Sequence, residues 1–310
     1  MGGLTRAAGR RLAWLTATAA LVVVLVHSLV VLAPGSAADA AAAGPTDRAA
    51  LAASWGDEAP AMTRIARGVG RTLRGDLGTS RVVRPGAAIT PLALGAWARS
   101  AARLLAALGV ATLLAVGGAA LHRRAGPASA VASATPVFLM AVATVTAINA
   151  ATWALMSAGW LDRPSWFALP DTPSLAREAL GVGVLAVASS GLAELRRDVA
   201  GALAAARDSP WADAARARGE LLWPHLASNL TAPVARALAA RTVLLAGGLV
   251  VLERVLLLQG AGALLWRAAV ARDLPLAAGV ALVGAGVIAA IRLGLDLVAL
   301  QADPRLREAP

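Results

Sequence analysis

The residues with the most specific chemistry are Trp211-Ala212-Asp213-Ala214-Ala215-Arg216-Ala217-Arg218-Gly219, a polar stretch between two long apolar runs. Their types and spacing predict a short helix. Ser209 stands at the N-cap position and Pro210 at the first helical position, where a missing N–H costs nothing. Asp213 falls in the first turn, where the partial positive charge of a helix N-terminus favours a carboxylate. Ala214, Ala215 and Ala217 keep the helix narrow enough to enter a groove, and Gly219 lets the backbone leave helical geometry. Trp211 and Trp223 are expected to anchor a partner surface. The competing reading is a loop helix lying on membrane lipid, with Arg216 and Arg218 against anionic headgroups.

Other chemistry is sparse. Cysteine is absent, and His27, His122 and His225 lie far apart, so no metal-ligand spacing occurs and no metal or cofactor is expected. With no lysine in the chain, no G-x-x-x-x-G-K-[ST] phosphate loop exists, and any ATP must be bound by another chain. Ser190 in Ser189-Ser190-Gly191, with His27, is the best nucleophile–base pair for an intramembrane serine hydrolase, but no third orienting group accompanies it. Ionisable and polar residues inside apolar runs are functional candidates, because burying them in lipid is costly. They are Asn149, Arg241, Arg292 and Asp296. Arg292 and Asp296 are four residues apart and can pair on one helix face. Asn149 suits an interhelical hydrogen bond. Glu178 and Glu194 fall near the ends of apolar runs and are expected at the interface.

The elements that position these residues follow from composition. Of 310 residues, 58% are hydrophobic, above the 45–50% of an ordinary soluble domain. The excess is gathered in runs long enough to cross a bilayer, without the alternation of a β-barrel. Runs at 12–32, 100–121, 130–158, 177–195, 232–252 and 276–300 predict an all-α polytopic membrane protein with about six transmembrane helices. The first is longer than the apolar core of a signal peptide, so it is read as an uncleaved span despite Ala38-Asp39-Ala40. The net charge of +11 is carried by arginines that flank the runs and form no stripe interleaved with stacking aromatics, so no nucleic acid is expected.

Arginine bias sets the orientation. Arg6, Arg10 and Arg11, then Arg123 and Arg124, then the 197–229 loop, then Arg305 and Arg307 all fall on one side of a six-span chain. That side is the cytoplasm, with both termini inside. Residues 33–96 are then external. Within them Arg64, Arg67, Arg71 and Arg74 recur beside Ile65, Val69 and Leu73, predicting an amphipathic helix near 61–74 with a solvated basic face. The loop near 254–275 is also external, with Glu253 and Asp273 partly balancing Arg254, Arg267 and Arg272. Trp14 and Trp97 lie near span starts, where interfacial belts favour them, and Pro136 predicts a kink in the third span.

The 211–219 segment resembles the cytoplasmic "EAA" loop of binding-protein-dependent ABC transporter permeases of the oligopeptide/dipeptide/nickel family, whose pattern is Tyr-Val-x-x-Ala-Arg-Ala-Lys-Gly. Further similarities stand in the same order. Gly75-Asp76-Leu77-Gly78-Thr79-Ser80 is similar to the family's Gly-Asp-Leu-Gly-x-Ser, and Pro136-Val137-Phe138 to its Pro-x-Phe. Gly247-Gly248 with Glu253, Gly260-Ala261-Gly262, Arg272-Asp273-Leu274-Pro275 and Asp303-Pro304-Arg305 complete the series. The chain departs from the family in four places. His225 follows Gly219 by six residues instead of about ten, and Leu256, Gln259 and Arg292 replace an aromatic, a proline and an asparagine.

The resemblance implies a type I ABC importer transmembrane-domain fold in the cell inner membrane. Residues 1–96 would be an anchor helix plus an external segment, and 97–310 a permease core with the coupling loop at 197–229. The implied partners are an ATP-binding subunit docked on Trp211, Asp213, Ala214, Ala215, Arg216, Arg218 and Gly219, a second permease subunit, and an extracytoplasmic solute-binding protein. The implied function is transport of peptides or a related small solute, without covalent chemistry in this chain. The alternative is a non-transporting scaffold or sensor of the same fold, suggested by the shortened loop.

Overall fold

The computed structural model describes residues 2–32, 38, 41–42, 44–56, 58–121, 154, 157–158, 175–187 and 190–303. Every regular element among them is a helix. In chain order these are α1 (Gly2–Leu32), α2 (Pro45–Ser54), α3 (Ala61–Leu73), α4 (Ile89–Leu121), α5 (Leu175–Val187), α6 (Ser190–Arg207), α7 (Pro210–Ala217), α8 (Leu222–Val255), α9 (Ala261–Val270) and α10 (Leu274–Ala302). An isolated antiparallel bridge joins Thr79 to Ala88.

Among the described residues, three helices are long and apolar enough to cross a membrane, over Ile89–Gly118, His225–Val255 and Leu274–Ala302. A fourth span results if α5 and α6, bent by 59° at their break, are counted together. Helices suit hydrocarbon because they satisfy every backbone N–H and C=O internally. Their outer faces agree: Leu94, Leu105, Leu113, Val243, Leu244, Val251 and Val298 are exposed, a poor surface for water and a good one for lipid tails. The protein is an all-α chain with the helices of a membrane protein. Pro136 and Asn149, with nearly all of the expected third span, lie outside the described residues.

Helix ends differ from the ends of the apolar runs. Helix α4 begins at Ile89 and α8 at Leu222, well before the runs at 100 and 232. Alanine, leucine and arginine propagate a helix regardless of which residues face lipid, so the boundary expected at 96 falls inside α4.

The chain divides into two compact units. One comprises Arg6–Ala101 and Glu253–Ala289; the other comprises Met1–Thr5, Ala102–Leu252 and Ala290–Pro310. In the first, Ile89, Ala93 and Trp97 of α4 pack with Ala261, Leu264 and Ala268 of α9 and with Leu276 and Val280 of α10. The helices approach closely through small residues: a Cβ on Gly279 would strike Ile89, and one on Gly284 would strike Trp97. Trp97 is therefore buried rather than interfacial, and its indole N–H donates to the Val280 carbonyl at 2.8 Å.

Two buried acids order this unit. Asp273 Oδ2 accepts from the Ser80 hydroxyl at 2.6 Å and from the backbone N–H groups of Arg81, Val82 and Val83 at 3.1, 3.0 and 3.1 Å. Its Oδ1 lies 3.3 Å from the Leu276 N–H in the first turn of α10. Burial pushes this carboxyl up, but the hydrogen bonds from Ser80, Val82, Val83 and Arg81 outweigh it and hold the pKa below the ordinary 3.8. Glu253 accepts from the Ser100 hydroxyl at 2.6 Å and from the Gly262 N–H at 2.8 Å, and Ser100 Oγ accepts from the Ala261 N–H at 2.8 Å. Together they satisfy orphan donors at the start of α9. Gly260 is required there because a Cβ would overlap the Glu253 carboxylate. Both acids are fully buried, where they serve helix starts.

Candidate coupling segment

The second unit carries the 197–229 segment. Helix α6 ends at Arg207, α7 runs from Pro210 to Ala217, and α8 begins at Leu222. Pro210 occupies the first turn as expected. Ser209 occupies the N-cap position, but its hydroxyl does not cap α7. It donates back to the Ala206 carbonyl at 2.6 Å, because the last turn of α6 also leaves carbonyls without partners. Asp213 pairs with Arg216 one turn on, and Arg216 also donates to the Arg207 carbonyl at 2.7 Å. One arginine in the last turn of α7 thus ties that helix to the end of α6.

Gly219 ends the helix. Its φ is +70°, a left-handed conformation that costs a residue with a Cβ about 1–2 kcal/mol. The Glu220 N–H reaches back to the Ala215 carbonyl and the Gly219 N–H to that of Arg216, both at 3.0 Å. This is the Schellman closure that satisfies a helix C-terminus. Glu220 then ties the link to α8 together. Its carboxylate accepts from Arg218 at 2.6 and 3.1 Å and lies 3.2 Å from His225 Nε2. The Arg218 hydrogen bond, with a smaller part from His225, holds the Glu220 carboxyl below its ordinary pKa.

The predicted contact residues divide into two faces. Ala212 and Ala215, three apart, are buried, so Ala215 faces its own chain and is not available to a partner. Trp211 is half-buried against Leu203, Leu226 and Leu230, and its ring centroid lies 6.2 Å from that of His225. It is an internal anchor, because three buried leucines offer it a nearer apolar surface than any partner. Asp213, Ala214, Arg216, Ala217, Arg218 and Gly219 are exposed. The side chain of Trp223 lies outside the described residues.

The chain matches no protein-family model and no curated protein.

The intramembrane candidates fare unevenly. Arg241 on α8 is 11% exposed and donates to Asp198 at 2.7 Å and to the Ala237 carbonyl at 2.7 Å, with Glu194 at 3.7 Å. Glu194 and Asp198 are four apart on α6, and together they neutralise a charge that lipid would penalise. Glu178, expected at an interface, instead grips Arg103 of α4 through two hydrogen bonds of 2.6 Å. Arg103 is 6% exposed, and the bidentate geometry is the strongest form of such a pair. Sequence reading missed Asp198 and Arg103. Their only signal was an acid and a base of opposite sign in separate apolar surroundings.

Arg292 and Asp296 behave differently from expectation. Arg292 is exposed on α10, and among the described residues no ion pair joins it to Asp296. Spacing of four allows a pair, but long side chains on an outward face gain little from making one. His27 lies in the other unit, with Nδ1 2.9 Å from the Val23 carbonyl and Nε2 3.4 Å from the Thr72 hydroxyl. Both ring nitrogens are engaged, which leaves no nitrogen poised as a base for a serine. Among the described residues, no cluster of three or more potential ligands could hold a metal ion.

Proposed function

We propose that the chain is the permease subunit of an ABC importer in the cell inner membrane, with both termini cytoplasmic. It forms half of a pore for peptides or a related small solute and couples to a separate ATPase through α7. The observation that supports this reading is the split of α7 into a buried alanine face and an exposed face bearing Asp213, Arg216 and Arg218. A helix fixed at both ends and free on one face transmits a push as a rigid body. The Schellman closure at Gly219 holds its C-terminal end, and the packing of Trp211 against Leu203, Leu226 and Leu230 holds its first turn. The Glu220 contacts to Arg218 and His225 close the short link to α8, so the missing turn relative to the permease pattern leaves a tied connection. A second permease subunit and an extracytoplasmic solute-binding protein complete the assembly. This chain binds and moves solute without covalent chemistry.

The test is purification of the tagged full chain from mild-detergent membranes, with co-purifying chains identified by mass spectrometry. Recovery of an ATPase with a phosphate-binding loop and of a second permease-like chain is expected. Recovery of the chain alone, while a control transporter keeps its ATPase, would overturn the reading in favour of a non-transporting scaffold.

A further inference from the structure

The first unit holds a cavity of about 300 Å³ between α1, α3, the 74–81 loop and the start of α10. Its lining is chemically mixed. Arg64, Arg67, Arg71 and Arg81 contribute to it, with Asp76 as the single acid among the described lining residues. Val30, Val31 and Leu282 are among its apolar residues. The basic face of α3, which spacing alone assigns to solvent, therefore also lends three of its arginines to the lining of a solvent-open cavity.

Two of the guanidinium groups are held in place. Arg71 donates Nε to Asp76 at 2.9 Å, and Asp76 is itself fixed by the Gly78 N–H at 2.8 Å. Arg81 lies 4.8 Å above the Trp55 ring and donates to the Trp55 carbonyl at 3.3 Å. The floor is equally fixed, since Gly68 of α3 meets the His27 ring with no room for a Cβ. Arg67, beside them, is exposed. Asp76 offsets one of these positive charges through Arg71, and the charge that remains around the pocket attracts an anion. Preset guanidinium forks match the oxygens of a phosphate, which they bind in a bidentate manner.

We infer that this cavity is a binding site for a phosphate ester whose apolar part lies against Val30, Val31 and Leu282. The ester can come from a membrane phospholipid headgroup or from a soluble phosphorylated metabolite. The site does not depend on α7 or on the importer reading.

The test uses the purified full chain in detergent. Native mass spectrometry with dioleoyl phosphatidylglycerol, with dioleoylglycerol as the uncharged control, reads the lipid arm. Titration with inorganic phosphate and with glycerol 3-phosphate, followed by calorimetry, reads the soluble arm. Phosphatidylglycerol is expected to bind at least about tenfold more tightly than dioleoylglycerol, since one charged contact is worth at least a factor of ten. Arg67→Gln and, separately, Arg71→Gln should each remove most of that preference, while Arg67→Lys restores part of it and the helical circular dichroism stays constant. Binding of glycerol 3-phosphate with the same arginine dependence assigns the site to the soluble ester. Absence of binding in both arms, or binding unchanged in both glutamine variants, would overturn the proposal.

Discussion

The two acids that order the first unit and the two acids of the coupling segment are used in opposite ways. Asp273 and Glu253 are buried and accept hydrogen bonds from hydroxyls and backbone N–H groups. Asp213 and Glu220 stand at the surface and accept from arginines. A buried carboxylate surrounded by preset donors holds a fold together, because removing it leaves several polar groups stranded. An exposed ion pair contributes little to stability, which leaves it free to be exchanged for contacts to another chain. The same residue type is thus architecture in one region and an offered surface in the other.

The sharpest way to break this contrast is Asp273→Ala. It strands the Ser80 hydroxyl and three backbone N–H groups, and a loss of about 3–5 kcal/mol is expected, read as a lower thermal midpoint or as loss of folded protein. Acid makes a related test without mutation. Because the folded Asp273 carboxyl titrates below the ordinary 3.8, its contribution is present above that value and is lost as pH falls through the lower, folded value. The wild-type thermal midpoint should drop across that window, and an Asp273→Asn chain should lose the part of the drop that Asp273 supplies. Gly260→Ala is expected to cost about 2 kcal/mol, since the new methyl displaces Glu253 from the α9 start. A midpoint equal to that of the wild type would remove the capping role.

The coupling segment should respond in the other currency. Gly219→Val forces a β-branched residue to φ +70° and is expected to cost about 1–2 kcal/mol while abolishing ATPase co-purification. Asp213→Arg should change stability by no more than about 0.5 kcal/mol and still abolish co-purification. If Asp213→Arg destabilised the protein as much as Gly219→Val, the surface acid would be architectural and the contrast would fail.

Much of the coupling segment was legible in sequence because its signals are local. Proline at a first turn, a carboxylate three residues on and a glycine past the end each act within one helical turn, and Pro210, Asp213 and Gly219 stand where those rules put them. The amphipathic period of α3 was legible for the same reason. What could not be read were partners distant in sequence. Nothing near Asp273 announces that its acceptor serves a loop 190–193 residues earlier, and nothing near Arg241 points to Asp198. Trp211 was assigned outward because a tryptophan in a polar loop invites it, yet the leucines that claim it lie on neighbouring helices. Ser209 failed in a subtler way: two helix ends compete for one hydroxyl, and the sequence does not say which one wins.

The bond between Ser80 and Asp273 also dictates an order of events. During synthesis the 80–83 loop emerges from the ribosome long before its acceptor, 193 residues ahead in the case of Ser80. Until Asp273 arrives, just ahead of α10, that loop carries donors with nowhere to send them. A chain cut short before Asp273 would keep most of the described apolar helices and still hold an unfinished loop, which is the kind of lesion that membrane proteases find. Arrival of the segment that leads into α10 is thus registered at a single carboxylate.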